Sequence, residues 1–317
     1  MTKIRIGTRG SKLALVQTTL VAEALRACWP GVETETVIIK TRGDKILDKP
    51  LGEIGDKGLF VSEFETALLE KRIDLAVHSA KDLPQRLAEG LEILAVPERA
   101  DARDVLVQVK NKLPKAPVIG TGSLRRRLYV EKLWPGAQVK LIRGNVETRL
   151  AKLAKGEYDG IILAKAGLDR LGIIEREKEH FVFQPLDPEV FLPAACQGII
   201  AVEGRADWEY REMVEKLSHR KTLLSFETER KVLEVLQADC SQPAAAYSVI
   251  EPAGIEKEKI LLTVMYGGKE SRGEWGVEER YALADVLSAQ ARGNVCGKEI
   301  NGEKNNRKEI NRKKTKG

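Results

Sequence analysis

The sequence predicts an α/β protein in which two similar lobes are followed by a smaller α+β domain. Short apolar runs typical of buried strands alternate with amphipathic helical stripes from residue 4 to residue 168. The two halves of this region also resemble each other. The run 6–11 (IGTRGS) is similar to the run 119–123 (IGTGS). A second pair of similar runs, in which an acid, an apolar strand and an Ala-Lys pair follow one another, lies at 73–81 and 158–165. We therefore expect two α/β lobes that face one cleft.

The first lobe begins with a strand at Ile4–Ile6, a glycine-containing loop and a helix whose N-cap we place at Ser11. The loop lacks the spacing of a Walker phosphate-binding motif. Apolar and β-branched runs predict further strands, and one more apolar stripe predicts a helix. These elements are a strand at 34–40, a helix at 60–71, and strands at 73–77 and 91–96.

The second lobe and the third domain follow the same logic of apolar periodicity. In the second lobe we predict strands at 105–109, 139–142 and 158–163. The run 118–123 opens one helix there, and a second helix follows residue 149 and ends at Lys155. In the third domain we predict helices at 223–236 and 281–290 and strands at 247–250 and 260–266. The expected division is residues 1–98 with about 194–214, residues 102–192, residues 218–292, and a disordered basic tail at 293–317.

The net charge of +6 does not indicate a nucleic-acid-binding protein. Residues 298–317 alone carry eight Lys or Arg and three Asp or Glu, so the remaining chain is nearly neutral. A hydrophobic fraction of 43% and a charged fraction of 32% are ordinary for a soluble domain. A terminal run of like charge is usually a solvated tail.

The same features favour a cytoplasmic protein with reduced thiols. The N-terminal residues contain no apolar signal-peptide core, and no run of about 18 apolar residues could span a membrane. The four cysteines contain no C-x-x-C pair, and the three histidines are widely separated. We therefore expect neither a disulfide framework nor a metal site.

The stretch Val77–Pro84 is placed where a ligand would bind. A short apolar strand precedes it, and Pro84 prevents a helix from continuing through Leu83. Lys81 and Asp82 should then lie where a strand ends, which is the ligand-binding edge of an open α/β sheet. An isolated Lys-Asp pair is more often an exposed surface dipeptide.

Basic residues gather at predicted loops and helix starts, namely Arg9, Lys81, Arg125, Arg126, Arg143 and Arg149. Arginine suits such positions because its planar fork binds carboxylates with two hydrogen bonds. Successive helical residues point about 100° apart, so Arg125, Arg126 and Arg127 cannot all face one cleft. We assign the first two to the cleft and Arg127 to solvent or a structural ion pair. The expected ligand is small and carries several carboxylates or phosphates.

Two further residues carry possible chemistry. Asp82 would be an acid in a basic cleft, able to protonate a leaving group, accept a proton or stabilise a developing cation. These three roles stay open. Cys240 lies in a predicted loop after a helix, and this is an unusual place for a structural cysteine. Cys28, by contrast, ends an apolar helical stripe, which is typical of a structural cysteine. A covalent role and a structural role both stay open for Cys240.

The ordered set of motifs resembles the porphobilinogen deaminase family, also called hydroxymethylbilane synthases. The resemblance covers roughly residues 3–290. Its motifs are 7–11, 41–44, 57–60, 77–84, 120–126, 143–146, 148–149 and Cys240.

The resemblance implies a transferase with two lobes like those of type II periplasmic binding proteins and a small third domain. It implies a dipyrromethane cofactor joined by a thioether to Cys240. Asp82 would be the catalytic acid that assists loss of ammonia from porphobilinogen and stabilises the azafulvenium cation at each coupling. The acetate and propionate groups would be bound by Arg9, Ser11, Lys81, Ser123, Arg125, Arg126, Arg143, Arg149 and Arg170.

The resemblance also implies that Lys57 belongs to a mobile loop. The expected enzyme is a monomer whose linear tetrapyrrole passes to uroporphyrinogen-III synthase.

The chain departs from the family pattern at several positions. Ala238 and Asp239 stand where glycines usually precede the cofactor cysteine, and Cys196 replaces another usual glycine. Glu53 and Asp56 are unusual in the loop that contains Lys57. The substitutions at Glu53, Ala238 and Asp239 support the alternative hypothesis of a cytosolic anion-binding or regulatory protein with the same two lobes and no catalysis.

Overall fold

The computed structural model describes residues 2–41, 61–109, 113–238, 242–254 and 257–293. The predictions for Lys57 and Cys240 therefore lie outside the described residues, as do Glu53, Asp56 and Asp239. The tail predicted from residue 293 lies outside them as well, apart from Gly293 itself.

The first lobe is built on a five-stranded sheet in the order β2-β1-β3-β10-β4. Strand β1 is parallel to β2 and β3, whereas β10 is antiparallel to its neighbours β3 and β4. Apolar side chains of β1 and α1, such as Ile4, Ile6 and Leu25, are almost fully buried in its core. The elements are β1 (Thr2–Thr8), α1 (Lys12–Cys28), β2 (Val32–Ile38), α2 (Ser62–Leu69), β3 (Leu75–Ser79), β4 (Leu91–Ala95), β10 (Ile200–Arg205) and α7 (Arg211–Glu215).

The second lobe repeats this topology with the order β7-β6-β8-β5-β9. Strand β6 is parallel to β7 and β8, and β5 is antiparallel to β8 and β9. The elements are β5 (Asp104–Val109), β6 (Val118–Gly120), α3 (Leu124–Leu133), β7 (Gln138–Lys140), α4 (Val146–Ala154), β8 (Gly160–Ala164), α5 (Lys165–Arg170), α6 (Ile173–Glu177) and β9 (Phe181–Pro185).

This shared order confirms the two similar lobes that the sequence predicts. In each sheet the fourth strand, β10 or β5, is antiparallel and enters directly after the chain has crossed from the other lobe. The protein therefore has the two-lobed fold of type II periplasmic binding proteins, with two crossing segments between the lobes.

The third domain is an antiparallel sheet, β11-β12-β13, packed on two helices. Its strand β13 escaped prediction because charged residues and glycines fill it, leaving no apolar alternation. Among the described residues, no helix is both long and apolar enough to cross a membrane. The elements are α8 (Arg220–Leu236), β11 (Ala244–Pro252), β12 (Glu258–Tyr266), β13 (Lys269–Gly276) and α9 (Arg280–Arg292).

A buried carboxylate ties the third domain to both crossing segments. Glu229 on α8 is fully buried and accepts two hydrogen bonds from the guanidinium of Arg99, at 2.7 and 3.2 Å. It also accepts from the backbone N–H of Cys196 at 2.6 Å and from the N–H and hydroxyl of Ser248 at 2.8 and 2.9 Å. Five donors compensate the cost of burying this charge.

Candidate active site between the lobes

Asp82 lies where β3 ends, as the sequence predicts. Residues Ala80–Asp82 form a single 3₁₀ turn after the strand. Ala80 and Leu83 are buried on either side, whereas Asp82 is exposed and Lys81 is partly buried. Burial of the flanking residues anchors the turn, so the Asp82 carboxylate is presented to solvent at the edge of the sheet.

Lys81 contacts a buried glutamine side chain. Its Nζ donates to Oε1 of Gln197 at 3.5 Å, and no ion pair joins it to Asp82 in the part of the chain described. Burial lowers the pKa of Lys81, and the charges of Arg126 and Arg125 lower it further against the opposing effect of Asp82 and Asp104. Lys81 and Asp82 therefore do not form a salt bridge with each other in the described part of the chain.

Arg125 and Arg126 are both buried and share one carboxylate, that of Asp104. Each guanidinium lies 2.7 Å from a different Asp104 oxygen. Further bonds run from Arg125 to the carbonyl of Leu192 at 2.6 Å and from Arg126 to the carbonyl of Ile162 at 2.8 Å. Although burial raises the pKa of Asp104, the two arginines hold it well below its usual range. Arg127 is exposed and pairs with Glu131, as predicted.

The cations of this cluster outnumber its carboxylates. The Nε atoms of Arg125 and Arg126 are buried and lack a hydrogen-bond partner within the described part of the chain. Burial also lowers the pKa of Arg125, with Asp104 opposing the shift. Lys81, Arg125 and Arg126 therefore stand against one aspartate, which leaves net positive charge beside the cleft.

Arg149 and Arg170 add positive charge from the second lobe. The Nε of Arg149 donates to the carbonyl of Gly144 at 2.8 Å, and Arg170 donates to the carbonyl of Gly198 at 2.8 Å. Burial lowers the pKa of Arg149 to about 10, helped by Arg126 and Arg143 and opposed by Asp82. The effect of Asp82 shows that its carboxylate lies within electrostatic range of the facing lobe. Burial also lowers the pKa of Arg170.

The two glycine loops begin helices in equivalent places of the two lobes. Ser11 caps α1 by accepting from the N–H of Ala14 at 3.3 Å, and Ser123 caps α3 by accepting from the N–H of Arg126 at 3.4 Å. This confirms both predicted helix starts. Partly buried Arg9 lies between β1 and α1.

The first glycine of each loop has a packing role. A Cβ at Gly7 would lie 2.5 Å from Cδ1 of Ile73, and a Cβ at Gly120 would lie 2.8 Å from Cδ1 of Tyr158. Each would force its neighbour to move, so glycine permits the close packing at the end of β1 and of β6.

A small cleft opens between the lobes beside Lys81. It is lined from the first lobe by α1 and the end of β3, and from the second by α5; its lining includes Leu13, Gln17, Ser79, Gly167, Arg170 and Gln197. Lys165 directly follows β8, whereas Lys81 is the second residue after β3, and the Nζ of Lys165 is 2.6 Å from Asp169 and 3.7 Å from Asp101. The second-lobe lysine is therefore neutralised, and the internal likeness does not extend to equal function.

Sequence reasoning missed Asp104 and Gln197. Gln197 is almost fully buried and donates to Asp104 at 3.0 Å and to the carbonyl of Ala102 at 2.7 Å, which links Lys81 to the arginine pair. The sequence signal that could have identified Asp104 is an acidic residue at the first position of a buried strand. No group of three potential metal ligands occurs among the described residues.

The fold and this cluster define a class of protein: a two-lobed α/β protein with a cationic cluster beside the cleft between its lobes and an exposed carboxylate at the end of β3. A family model described as "Porphobilinogen deaminase, dipyromethane cofactor binding domain" matches residues 4–212. The chain belongs to the porphobilinogen deaminase family, and these residues form its dipyrromethane cofactor-binding domain.

Curated relatives of the same name cover most of the chain. The porphobilinogen deaminase of Syntrophobacter fumaroxidans is 48% identical over 250 residues, which are 77% of this chain and 79% of the relative. That of Acetivibrio thermocellus is 44% identical, covering 85% and 89% of the two chains. That of Brevibacillus brevis is 40% identical, covering 93% and 97%.

Proposed function

We propose that this protein condenses four molecules of porphobilinogen head to tail, with loss of ammonia at each coupling, and that one water molecule then cleaves the chain from the cofactor to give the linear tetrapyrrole hydroxymethylbilane. The observation that carries the proposal is the exposed carboxylate of Asp82 beside a cluster of partly desolvated cations. Porphobilinogen bears two carboxylates and one aminomethyl group. It therefore needs both an anion-binding surface and an acid that acts on a leaving amine.

The residues present fit a dipyrromethane, which carries four carboxylates. The excess of Lys81, Arg125 and Arg126 over the one carboxylate of Asp104, and the lowered pKa values of Lys81, Arg149 and Arg170, support anion binding here. When bound, this cofactor supplies the pyrrole carbon to which the first substrate is joined. The remaining proposed carboxylate-binding residues are Arg9, Ser11, Ser123 and Arg143. The proposed attachment point is Cys240, on the basis of its place in the family pattern.

Asp82 acts on the charge that develops at the reacting carbon. When the aminomethyl C–N bond breaks, nitrogen leaves as ammonia and the remaining carbon carries positive charge. A fixed carboxylate beside that carbon lowers the energy of the charged state. Joining this carbon to the next ring releases a proton from the ring, and Asp82 can accept that proton. Lys81, one residue earlier, orients a carboxylate of the substrate.

The proposed domains are residues 1–98 with about 194–214, residues 102–192 and residues 218–292, a division that the three separate sheets support. Lys57 is proposed to assist substrate binding, on the basis of its place in the family pattern. The protein acts as a cytoplasmic monomer and passes its product to uroporphyrinogen-III synthase.

The proposal is tested with Asp82→Asn, which keeps the size of the side chain and removes its charge. General acid–base groups typically contribute about 10²–10⁴-fold, so porphobilinogen consumption should fall by at least about 100-fold while the far-ultraviolet circular dichroism is unchanged. Full activity of a folded Asp82→Asn protein would overturn the role assigned to this carboxylate.

A matched lysine pair tests the anion site separately. Lys81→Gln should raise the KM for porphobilinogen, because it removes a cation from the unneutralised cluster. Lys165→Gln is the control, since Lys165 occupies the equivalent position but is paired with Asp169 and Asp101. Equal effects of the two substitutions would contradict the assignment of Lys81.

A further inference from the structure

The loop that follows Asp82 is joined to the end of α8 by two side chains that bond in opposite directions. Arg230 of α8 donates from Nη2 to the carbonyls of Pro84 and Gln85, both at 2.7 Å. Gln85 donates from Nε2 to the carbonyls of Ala238 at 2.8 Å and Leu233 at 3.4 Å. We call these two residues and the four carbonyl groups that they bind the interdomain clasp.

The Arg230 side of the clasp rests on an apolar base. Leu83 is buried in a cluster that includes Phe226 of α8, and the guanidinium carbon of Arg230 lies 5.8 Å from the centre of the Phe226 ring. Burial lowers the pKa of Arg230, so its hydrogen bonds to the two carbonyls compensate for lost hydration. The loop is therefore held by packing and by charge-assisted hydrogen bonds together.

The Gln85 side of the clasp completes the C-terminus of α8. Gln237 adopts a left-handed conformation with φ 48°, which ends the helix, and the N–H of Ala238 donates to the carbonyl of Leu233 at 3.0 Å. The last carbonyls of a helix lack partners within the helix. Gln85 donates to the carbonyl of Ala238, just beyond the helix, and at a longer distance to the carbonyl of Leu233, which also accepts from the N–H of Ala238. Ala238 itself is almost fully buried in the third-domain core.

We propose that Gln85 and Arg230 are positioning residues that hold Asp82 in register with Cys240, an inference that rests on the proposed function. Cys240 follows Ala238 by two residues, and Gln85 follows Asp82 by three. The clasp therefore joins the two short segments of chain that precede Cys240 and follow Asp82 in the sequence.

The first test measures amide hydrogen exchange on the full-length protein as isolated. Gln85→Ala should speed exchange in peptides covering 233–241, and Arg230→Ala should speed it in peptides covering 82–88. Arg230→Lys should restore much of the protection, because an ammonium can also donate to two carbonyls. The control is Arg86→Ala, an exposed neighbour in the same loop, which should change neither segment.

The second test measures turnover of porphobilinogen by the same variants. A misplacement of about 1 Å can cost about 100-fold in rate, so Gln85→Ala and Arg230→Ala should lower kcat by at least about tenfold. The KM for porphobilinogen should stay within about twofold, because neither residue belongs to the cationic cluster. Arg230→Lys should recover kcat in parallel with the exchange protection.

The outcomes separate the two proposals. If the wild-type protein consumes no porphobilinogen, the proposed function fails, and the exchange result alone reports whether the clasp forms. If the wild type is active and the variants exchange faster but keep their kcat, the clasp is only structural and the positioning role is overturned. Unchanged exchange in Gln85→Ala and Arg230→Ala would overturn the clasp itself.

Discussion

Replacing Asp104 with asparagine removes one negative charge from between two buried arginines and keeps the shape of the side chain. Asp104 is fully buried, and its two oxygens lie 2.7 Å from Arg125 and Arg126. Removing one partner of a buried ion pair typically costs about 3–5 kcal/mol, because the remaining charge stays desolvated. Asparagine can still accept one hydrogen bond, so we expect the lower end of that range, about 3 kcal/mol.

Thermal unfolding followed by circular dichroism measures this loss. For a chain of this size each kcal/mol corresponds to about 2 °C, so the midpoint of Asp104→Asn should fall by about 6 °C. The control is Asp101→Asn, whose carboxylate is much more exposed and pairs with Arg103 and Lys165 at the same crossing segment. That substitution should lower the midpoint by about 2 °C or less.

The pH dependence of the difference follows from the sign of the pKa shift. Arg125 and Arg126 outweigh burial and depress the pKa of Asp104 in the folded protein, so this group stabilises the fold above its unfolded pKa of about 3.9. Its contribution is lost as the pH falls towards the folded pKa. The wild-type advantage should therefore be constant between about pH 5 and 8 and shrink below about pH 4.

The effect of a bound anion on the thermal midpoint tests whether the arginine pair belongs to an anion site. Without the carboxylate of Asp104 the arginine pair has a greater excess of positive charge. Inorganic phosphate at about 10 mM should therefore raise the thermal midpoint of Asp104→Asn more than that of the wild type. A midpoint unchanged by the substitution, or a phosphate effect equal in both proteins, would refute the reasoning that Asp104 partly neutralises an anion site.

Two further predictions follow from the same geometry. Arg149→Gln should raise the KM for porphobilinogen by about tenfold, because it removes a cation from the anion site. The thermal midpoint should not fall, because burial and the charges of Arg126 and Arg143 already disfavour the charged form of Arg149. A large loss of stability would contradict this prediction. Cys196 has φ 60°, and its N–H donates to Glu229. Cys196→Val should therefore lower the free energy of unfolding by about 2 kcal/mol, because a β-branched residue is strained in this conformation. Cys196→Gly should change the free energy of unfolding by less than about 1 kcal/mol. Equal unfolding midpoints for the two Cys196 variants would show that the backbone strain is absent.

Local signals in the sequence predicted much of the site. Ser11 and Ser123 each precede a helical stripe and do cap the helices, because an N-cap bond spans only three residues. The position of Asp82 followed from a buried strand that ends before a proline. The pairing of Arg125 and Arg126 with Asp104 could not be predicted, because it joins residues about 20 positions apart on neighbouring elements.

The departures from the family pattern have partly local explanations. The left-handed conformation at the end of α8 falls on Gln237, and Ala238 is not among the residues of positive φ. An alanine at 238 is therefore compatible with the backbone, and its Cβ packs in the core of the third domain. At Cys196 the backbone does adopt the left-handed region that favours glycine, so this substitution carries strain. The sequence alone could not distinguish these two cases.

The central claim is a pyrrole-carrying transferase whose growing chain is tethered at Cys240. The most direct measurement is the intact mass of the protein purified from cells that make porphobilinogen, compared with its Cys240→Ser variant. We predict that the wild type carries a covalent adduct of two pyrrole units and that the variant lacks it. An unmodified wild-type mass, or an adduct that persists in Cys240→Ser, would contradict the account.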